Sequence, residues 1–331
     1  MRFRSASLAT VALSLVAAAP AAARTAPAQV FSPIPVADLG IETLTDQKDA
    51  DYFSSQYPQA YHRVALTDLD SSGYLRGRWA SVKSDTGAAA QDTGAGYVYT
   101  RDDDRFEQTM AYYWVTQAQT YIQSLGFGRT LPPANDRQVS LRINQFGGDN
   151  SFFRDTKTDI TLGKGGVDDA EDAEVIVHEY GHSVQDGQVP GFGAGAEAGA
   201  IGEGFSDYLA EEVSSAVAPT PDPACIADWD SVSYTRGPVH CLRRIDGTKV
   251  YPSDLVNEVH ADGEIWSSAL WSVRKALGAA AADQIIIRAQ FGFAADTSMR
   301  AAAAKTIATA GLYGAKTEKA VRAAFAARGL A

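Results

Sequence analysis

The chain has 331 residues, of which 45% are hydrophobic and 21% are charged. This is the mixture of an ordinary globular protein, and it excludes a fully disordered, collagen-like or coiled-coil protein. The chain carries 29 basic and 40 acidic residues, a formal net charge of −11 at pH 7. Because such a surface repels phosphate backbones, we expect no nucleic-acid partner.

Residues 1–23 have the pattern of a secretory signal peptide. Arg2 and Arg4 give it a positive start, residues 8–19 form an apolar run, and residues 21–23 offer the small side chains of a cleavage site. The run is short and alanine-rich for a membrane anchor, and no later stretch reaches the roughly 20 apolar residues of a transmembrane helix. We therefore expect export to the periplasm or the medium, with no membrane span in the mature protein.

The segment after the signal peptide is rich in alanine, proline and polar residues. Its weak periodicity predicts a flexible lead-in or a short pro-segment over residues 24–58. Residues 64–70 and 74–82 flank a Ser-Ser-Gly turn and predict a β-hairpin. The next predicted elements are an amphipathic helix at 106–125 and short strands at 139–144 and 160–162.

The second half of the chain has helical patterns. Residues 168–186 predict a helix with acidic residues in its first turn, where they favour the helix dipole. The remaining predictions are a glycine-rich loop at 187–204, a helix from about 200 to 215, an irregular proline-rich segment at 219–252, and helices at 262–277, 280–291, 297–310 and 316–328. This order predicts an α+β fold with a β-rich lobe at residues 59–186 and a helical lobe at residues 187–331.

The two cysteines, Cys225 and Cys241, lie in the irregular segment. An even number of cysteines in an exported protein favours a disulfide, and two free thiols are the alternative. A cysteine-based zinc site needs more thiols or nearby histidines, so it is disfavoured here.

His178, Glu179 and His182 form the most informative motif. On a helix, residues four apart differ by only about 40° of rotation, so the two imidazoles point the same way and can hold one zinc ion. Glu179 lies one step round the helix, within reach of the water that the metal activates, and its role would be general base. The apolar residues 175–177 indicate a buried helix rather than a surface helix that merely carries two histidines.

Zinc in a catalytic site needs a third protein ligand. Glu203 is the candidate, 21 residues after His182 and at the start of the next predicted helix. Asp207 lies one helical turn further along the same face, where it can accept the second N–H of a ligating histidine. An acidic residue that favours the helix dipole is the structural alternative for Glu203, and both roles can hold together.

The motif His178-Glu179-x-x-His182, together with residues 202–207 (Gly-Glu-Gly-Phe-Ser-Asp), resembles the gluzincin metallopeptidases, and within them the thermolysin and fungalysin families. The resemblance covers roughly residues 100–280. It includes Ala-Tyr-Tyr at 111–113 in the long helix, Asn-Ser-Phe-Phe at 150–153, Leu-Arg at 242–243 and Val-His-x-x-Gly at 259–263.

This resemblance implies a two-lobed peptidase with one zinc ion in the cleft between the lobes. It implies that His178, His182 and Glu203 are ligands and that Glu179 is the base. It further implies that His260 stabilises the oxyanion, with Asp254 or Glu258 as its acidic partner. Arg243, or in its place Arg244, would hold a substrate carbonyl. Asn150 and Ser151 would pair with the peptide main chain as an added strand.

Two positions depart from the family pattern. These enzymes commonly carry a tyrosine about eleven residues past the second histidine, where this chain has Gly193. Glu174 matches a calcium-binding acid, but Ser214 stands where a calcium-bridging acid is expected, which leaves calcium open.

The sequence therefore predicts a secreted, monomeric zinc peptidase, an endopeptidase acting on peptides or proteins. One alternative is a non-catalytic binding protein on a peptidase fold, which is disfavoured because the base Glu179 and all three ligands are present. The other is an aminopeptidase-type metal hydrolase, which needs a pocket for a free amine, and the sequence places no extra acids clearly near the site.

Overall fold

The computed structural model describes residues 23–46, 52–83, 87–235, 237 and 240–331. The signal-peptide prediction therefore lies almost wholly outside the described residues. The strands are β1 (Arg24–Val30), β2 (His62–Leu69), β3 (Ala80–Lys83), β4 (Val139–Phe146), β5 (Phe152–Arg154), β6 (Asp159–Gly163), β7 (Cys225–Ile226) and β8 (Arg243–Arg244). The helices are α1 (Pro35–Leu39), α2 (Tyr52–Gln56), α3 (Arg105–Ser124), α4 (Ala173–Gln188), α5 (Ala196–Val217), α6 (Val259–Leu277), α7 (Ala279–Gln290), α8 (Met299–Gly311) and α9 (Ala315–Ala326).

Strand β1 opens the described chain and pairs antiparallel with β2. Ala28, Val30 and Phe31 are fully buried, and the backbone oxygen of Asp46 accepts a hydrogen bond from buried Arg101 at 2.6 Å. The prediction of a flexible lead-in is wrong for residues 24–30, which form a paired strand, and the alternative of a short pro-segment stays a prediction. Small apolar residues at alternate positions form a buried strand face, but the proline and polar residues between them make this pattern hard to recognise in the sequence.

The main sheet has the strand order β3-β4-β6-β5, in which β3, β4 and β6 are parallel and β5 is an antiparallel edge strand. The predicted hairpin at 64–70 and 74–82 does not form. The chain does reverse after β2, where Leu69 and Gly77 make a single antiparallel bridge, but β3 then pairs with β4 rather than with β2.

Helix α5 packs against both α4 and α6, and these three helices carry the motifs that the sequence singles out. Helix α5 begins at Ala196, inside the predicted loop, and α6 begins at Val259, three residues before its predicted start. A Cβ atom on Gly204 of α5 would lie 2.3 Å from the backbone oxygen of Gly263 on α6. Only glycine therefore permits this close crossing of the two helices.

The strands of the main sheet end at Gly163, and long helices follow, so the predicted α+β fold with a β-rich N-terminal part and a helical C-terminal part is confirmed. The division into lobes at residues 186 and 187 stays a prediction. Within the part of the chain that the structure describes, no helix combines the length and apolar character needed to cross a membrane.

The predicted disulfide between Cys225 and Cys241 is confirmed. It joins the two arms of a small antiparallel ladder in which Ile226 of β7 is opposite Arg243 of β8. The ladder lies in the proline-rich segment at 219–252, which is irregular in the sequence prediction, and its second strand carries Arg243.

Candidate active site

The three predicted metal ligands meet where α4 and α5 cross. His178 and His182 lie one turn apart on α4, with ring centroids 5.0 Å apart. The Glu203 carboxylate on α5 lies 3.1 Å from His178 Nε2 and 3.6 Å from His182 Nε2. One ligand atom from each of the three residues lies within 4.8 Å of the other two.

The start of α4 holds the two histidines in this position. The side chain of Asp172 caps the helix, accepting hydrogen bonds from the backbone N–H groups of Glu174 and Val175. Further along, Gly181 faces Ser206 of α5 so closely that a Cβ atom would lie 2.6 Å from Ser206 Oγ. The two helix backbones therefore approach closely beside His182.

Asp207 lies behind His178, and its Oδ1 is 2.8 Å from His178 Nδ1. Burial lowers the pKa of His178, but the adjacent carboxylates of Asp207 and Glu203 outweigh burial and raise it to about 10. Burial lowers the pKa of His182 to about 4. A histidine whose second nitrogen is held by a carboxylate, a neutral histidine and a carboxylate match the donor set of a catalytic zinc site.

Glu179 is buried, with 6% of its surface exposed, and it lines the same cavity as His178 and Glu203. Its Oε2 atom has no hydrogen-bond partner among the described residues. Burial raises the pKa of Glu179 to about 7. A carboxyl group with a free oxygen and a pKa near neutrality can both accept and donate a proton at physiological pH.

His260 lies in the first turn of α6, with 51% of its side chain exposed, and its Nε2 is 3.4 Å from Glu203 Oε2. Glu258 caps this helix and also lies 2.7 Å from His260 Nδ1. Asp254 instead accepts a hydrogen bond from the backbone N–H of Val250 at 2.7 Å. Of the two candidate partners of His260, Glu258 is the one in contact with it.

Arg243 lines the cavity, whereas Arg244 faces outward and pairs with Asp222 and Asp246. The guanidinium of Arg243 donates two hydrogen bonds of 2.7 Å to Asp207. Of the two candidate cleft arginines, only Arg243 lines this cavity, and it is tied to the carboxylate behind His178.

Asn150 and Ser151 line the cavity just before edge strand β5. The hydroxyl of Ser151 donates a hydrogen bond to Asp169, in the single 3-10 turn that precedes α4. In the described part of the sheet, β5 has one ladder partner, β6, and its other edge is unpaired.

The cavity has a volume of about 320 Å³ and is lined by Asn150, Ser151, Phe152, Asp169, Glu174, Val175, His178, Glu179, Glu203, Ile226, Ala227, Asp230, Tyr234, Leu242, Arg243 and His260. Sequence reasoning did not identify Asp169, Asp230 or Tyr234 as site residues. In the sequence, Asp169 has the position of a first-turn acid of a predicted helix, and Asp230 and Tyr234 lie in the irregular segment, where no periodicity indicates the direction of their side chains.

Comparison with protein families gives a match to the model described as fungalysin metallopeptidase (M36) over residues 97–284, more than half of the chain. The matched region contains each residue for which a catalytic, metal-binding or substrate-binding role is predicted. A comparison with curated proteins gives no match.

Proposed function

The chain belongs to the fungalysin metallopeptidase family, and from this premise we propose that it is a secreted endopeptidase with Glu179 as its general base. Family membership makes the chain a zinc metallopeptidase, a hydrolase of peptide bonds. The observation that carries the finer proposal is the free, buried carboxyl of Glu179 beside the convergent His178, His182 and Glu203.

His178, His182 and Glu203 would hold one zinc ion per chain. Zinc, when bound, supplies the Lewis acidity that makes water nucleophilic at neutral pH. Glu179 accepts a proton from the attacking water and delivers it to the departing amine. Its buried environment, which raises its pKa to about 7, suits both steps. Asp207 holds the ring of His178 in orientation through Nδ1.

His260 donates a hydrogen bond to the oxyanion that forms when the peptide carbonyl is attacked, and Glu258 orients its ring through Nδ1. Arg243, which lines the cavity, binds a carbonyl oxygen of the substrate. Asn150 and Ser151 pair with the peptide main chain beside the free edge of β5, as in other β-strand additions.

Two further observations bear on the rival functions. The presence of Glu179 with the full ligand set disfavours a non-catalytic binding protein. The buried acids Asp169 and Asp230 in the same cavity give the aminopeptidase alternative a physical basis, because a free amine needs a negatively charged partner.

Secretion is supported by the signal-peptide pattern at residues 1–23 and by the disulfide Cys225–Cys241, since disulfides persist in oxidising compartments. The monomeric state stays a prediction, and calcium stays open. Glu174, the one family-like calcium acid, accepts a hydrogen bond from the backbone N–H of Ala227 at 2.8 Å.

The test is digestion of a peptide library by the mature protein, before and after removal of metal by a chelator. We expect cleavage within peptides, its loss after chelation, its return with zinc, and about one zinc per chain by metal analysis. Glu179→Gln should keep the zinc and lower kcat by about a hundredfold or more. Glu318→Gln, which removes an exposed carboxylate from α9, is the matched control.

Two results would contradict the proposal. One is peptide cleavage by Glu179→Gln at the wild-type rate, which would remove the base from the mechanism. The other is full activity in protein that contains no transition metal. Release of single amino-terminal residues without internal cleavage would favour the aminopeptidase instead.

A further inference from the structure

Three carboxylates converge at one end of the cavity, and we refer to Asp149, Asp169 and Asp230 as the acid pocket. Asp169 and Asp230 line the same cavity as His178 and Glu179. One carboxylate oxygen from each of the three aspartates lies within 4.8 Å of the other two. Asp149 precedes β5, Asp169 precedes α4, and Asp230 follows β7, so three separate segments build the pocket.

The hydrogen bonds of the acid pocket leave two buried oxygens without a partner among the described residues. Asp149 Oδ1 accepts a hydrogen bond from the hydroxyl of Tyr234 at 2.8 Å, and Asp169 accepts one from Ser151. Asp169 Oδ1 and Asp230 Oδ1 are buried and have no hydrogen-bond partner within the described ranges. Asp230 has only 4% of its surface exposed.

The neighbouring buried acid Asp172 is an example of a carboxylate with a purely structural role, and it differs from the acid pocket in its hydrogen bonds. Its Oδ1 accepts from the backbone N–H groups of Glu174 and Val175, and its Oδ2 accepts from the backbone N–H of Asp230. Both oxygens of Asp172 are therefore used within the fold, whereas Asp169 and Asp230 each keep a free oxygen beside the cavity.

Among the residues that the structure describes, none of the three aspartates of the acid pocket forms an ion pair with a lysine or arginine, although Arg243 partly offsets the charge of Asp230. Burial raises the pKa of Asp169 to about 7, and burial together with repulsion from Asp169 raises the pKa of Asp230 well above its usual range. Arg243 lines the same cavity, but its guanidinium is paired with Asp207. A cationic group in the pocket would offset the cost of the buried carboxylates, because charge-assisted hydrogen bonds are strong in a low-dielectric site.

We propose that the acid pocket binds a positively charged group of the peptide substrate next to the bond that is cleaved. This inference rests on the proposed function and adds a substrate class to it, namely peptides that present an ammonium or guanidinium group. The group can come from a lysine or arginine side chain or from a free amino terminus, and the experiment separates these two sources.

A substrate cation suits the pocket better than a second metal ion. Zinc sites are rich in nitrogen and sulfur ligands, and calcium takes six to eight oxygens, whereas one oxygen of Asp149 and one of Asp169 already accept hydrogen bonds from Tyr234 and Ser151. The pocket also opens into the cavity that His178 and Glu203 line. The volume of that cavity, about 320 Å³, admits a long side chain.

The experiment compares peptides that differ at one position flanking a single cleavable bond. The position carries lysine, arginine, norleucine or acetyl-lysine, and each peptide is made with a free and with an acetylated amino terminus. We expect kcat/KM to be about tenfold to a hundredfold higher for lysine or arginine than for norleucine. Acetyl-lysine should behave like norleucine, because it keeps the length of lysine and loses its charge.

The variants Asp230→Asn and Asp169→Asn test the pocket itself. Each should lower the ratio of kcat/KM between the lysine and norleucine peptides by about tenfold or more, with cleavage of the norleucine peptide retained. Asp136→Asn removes an exposed carboxylate outside the cavity and should leave the ratio unchanged. Thermal melting identifies a variant that fails to fold. In that case, the ratio of kcat/KM measured with the other variant tests the proposal.

The outcomes are distinguishable. A preference that follows the free amino terminus, and is lost in both variants, supports the proposal with that source of the cation. The proposal is overturned if kcat/KM depends neither on lysine in place of norleucine nor on a free amino terminus, or if the preference is unchanged in both folded variants. A second bound zinc or calcium ion that disappears in Asp230→Asn also overturns it, in favour of a metal site. No cleavage of any peptide would contradict the proposed function as a whole.

Discussion

Arg243 donates two hydrogen bonds of 2.7 Å to the carboxylate of Asp207, one from Nε and one from Nη2. The same carboxylate lies 2.8 Å from Nδ1 of His178. Burial alone would raise the pKa of Asp207, but Arg243 and His178 outweigh burial and lower it well below the usual range. Asp207 of α5 therefore stays charged and joins Arg243 of β8 to His178 of α4.

This arrangement predicts that Asp207→Asn weakens zinc binding while the fold persists. The amide keeps the shape of the side chain but loses the charge that holds His178 and Arg243. We expect zinc affinity to fall by about 10- to 100-fold, as for other residues that orient a metal-binding histidine. Competition with a fluorescent zinc chelator measures the change.

Asp222→Asn is the matched control, because Asp222 is exposed and pairs with the outward-facing Arg244. Its zinc affinity should equal that of the wild type. Equal affinities for Asp207→Asn and the wild type would show that Asp207 does not support His178.

Local patterns in the sequence single out His178, His182 and Glu203 as the predicted metal ligands, and the structure brings these three side chains together. The spacing of His178 and His182 is fixed by helix geometry, and α4 presents both rings to Glu203. The position of His260 came from family resemblance alone. The sequence does not decide whether Glu258 or Asp254 is the acidic partner of His260, because that depends on where α6 begins.

Long-range pairing explains what the sequence did not predict. Strand β1 is stabilised by its partner β2, about 40 residues later, and not by a pattern of its own. The acid pocket brings together residues from three segments separated by up to 81 positions, from Asp149 to Asp230. The hydrophobic periodicity within one segment cannot predict that residues from three distant segments come together.

His260→Ala should lower kcat by about two to three orders of magnitude, with zinc content and melting temperature little changed. Turnover should fall because Nε2 of His260 lies 3.4 Å from Glu203, at the proposed metal site. Stability should change little because half of the His260 side chain is exposed to solvent. Steady-state kinetics, metal analysis and thermal melting measure the three properties.

The partner variants sharpen this test. Glu258→Gln removes the charge that contacts His260 Nδ1 and should lower kcat by less than His260→Ala does, whereas Asp254→Asn should not change kcat. Loss of zinc or of the fold in His260→Ala would indicate a structural role. Full activity would exclude His260 from the mechanism.

Gly204→Ala should destabilise the protein and weaken zinc binding together. A Cβ atom there would lie 2.3 Å from the Gly263 backbone oxygen and 2.9 Å from the backbone nitrogen of Ser267, so α5 and α6 must separate. We expect a loss of about 1–3 kcal/mol in the free energy of unfolding. Glu203 is the preceding residue, so the shift also moves a proposed metal ligand.

Gly202→Ala on the same helix is the control, because its nearest neighbour would be 3.5 Å away, an ordinary contact. Alanine is the better helix former, so this variant should equal or exceed the wild type in stability. Urea unfolding of both variants gives the comparison. If Gly204→Ala is as stable as Gly202→Ala, the close crossing of α5 and α6 is not required.

Glu211 on α5 predicts a specific dependence of stability on pH. Its side chain is 1% exposed, and its Oε2 has no hydrogen-bond partner in the described structure. Burial raises its pKa to about 7, above the value of about 4.3 expected in the unfolded chain. Its contribution to stability is therefore fully present below about pH 4.3 and is lost as the pH rises through 7.

Glu211→Gln removes this titration, so the stability of the variant relative to the wild type should rise between pH 5 and pH 8, by up to about 3 kcal/mol. A difference in the free energy of unfolding that is the same at every pH reflects how well the glutamine amide packs in place of the carboxyl group, and it does not bear on the prediction. Urea unfolding at each pH gives the two curves, and Glu318→Gln on the exposed face of α9 controls for the change in net charge. Parallel curves for Glu211→Gln and the wild type would mean that Glu211 is as readily charged in the folded protein as in the unfolded chain.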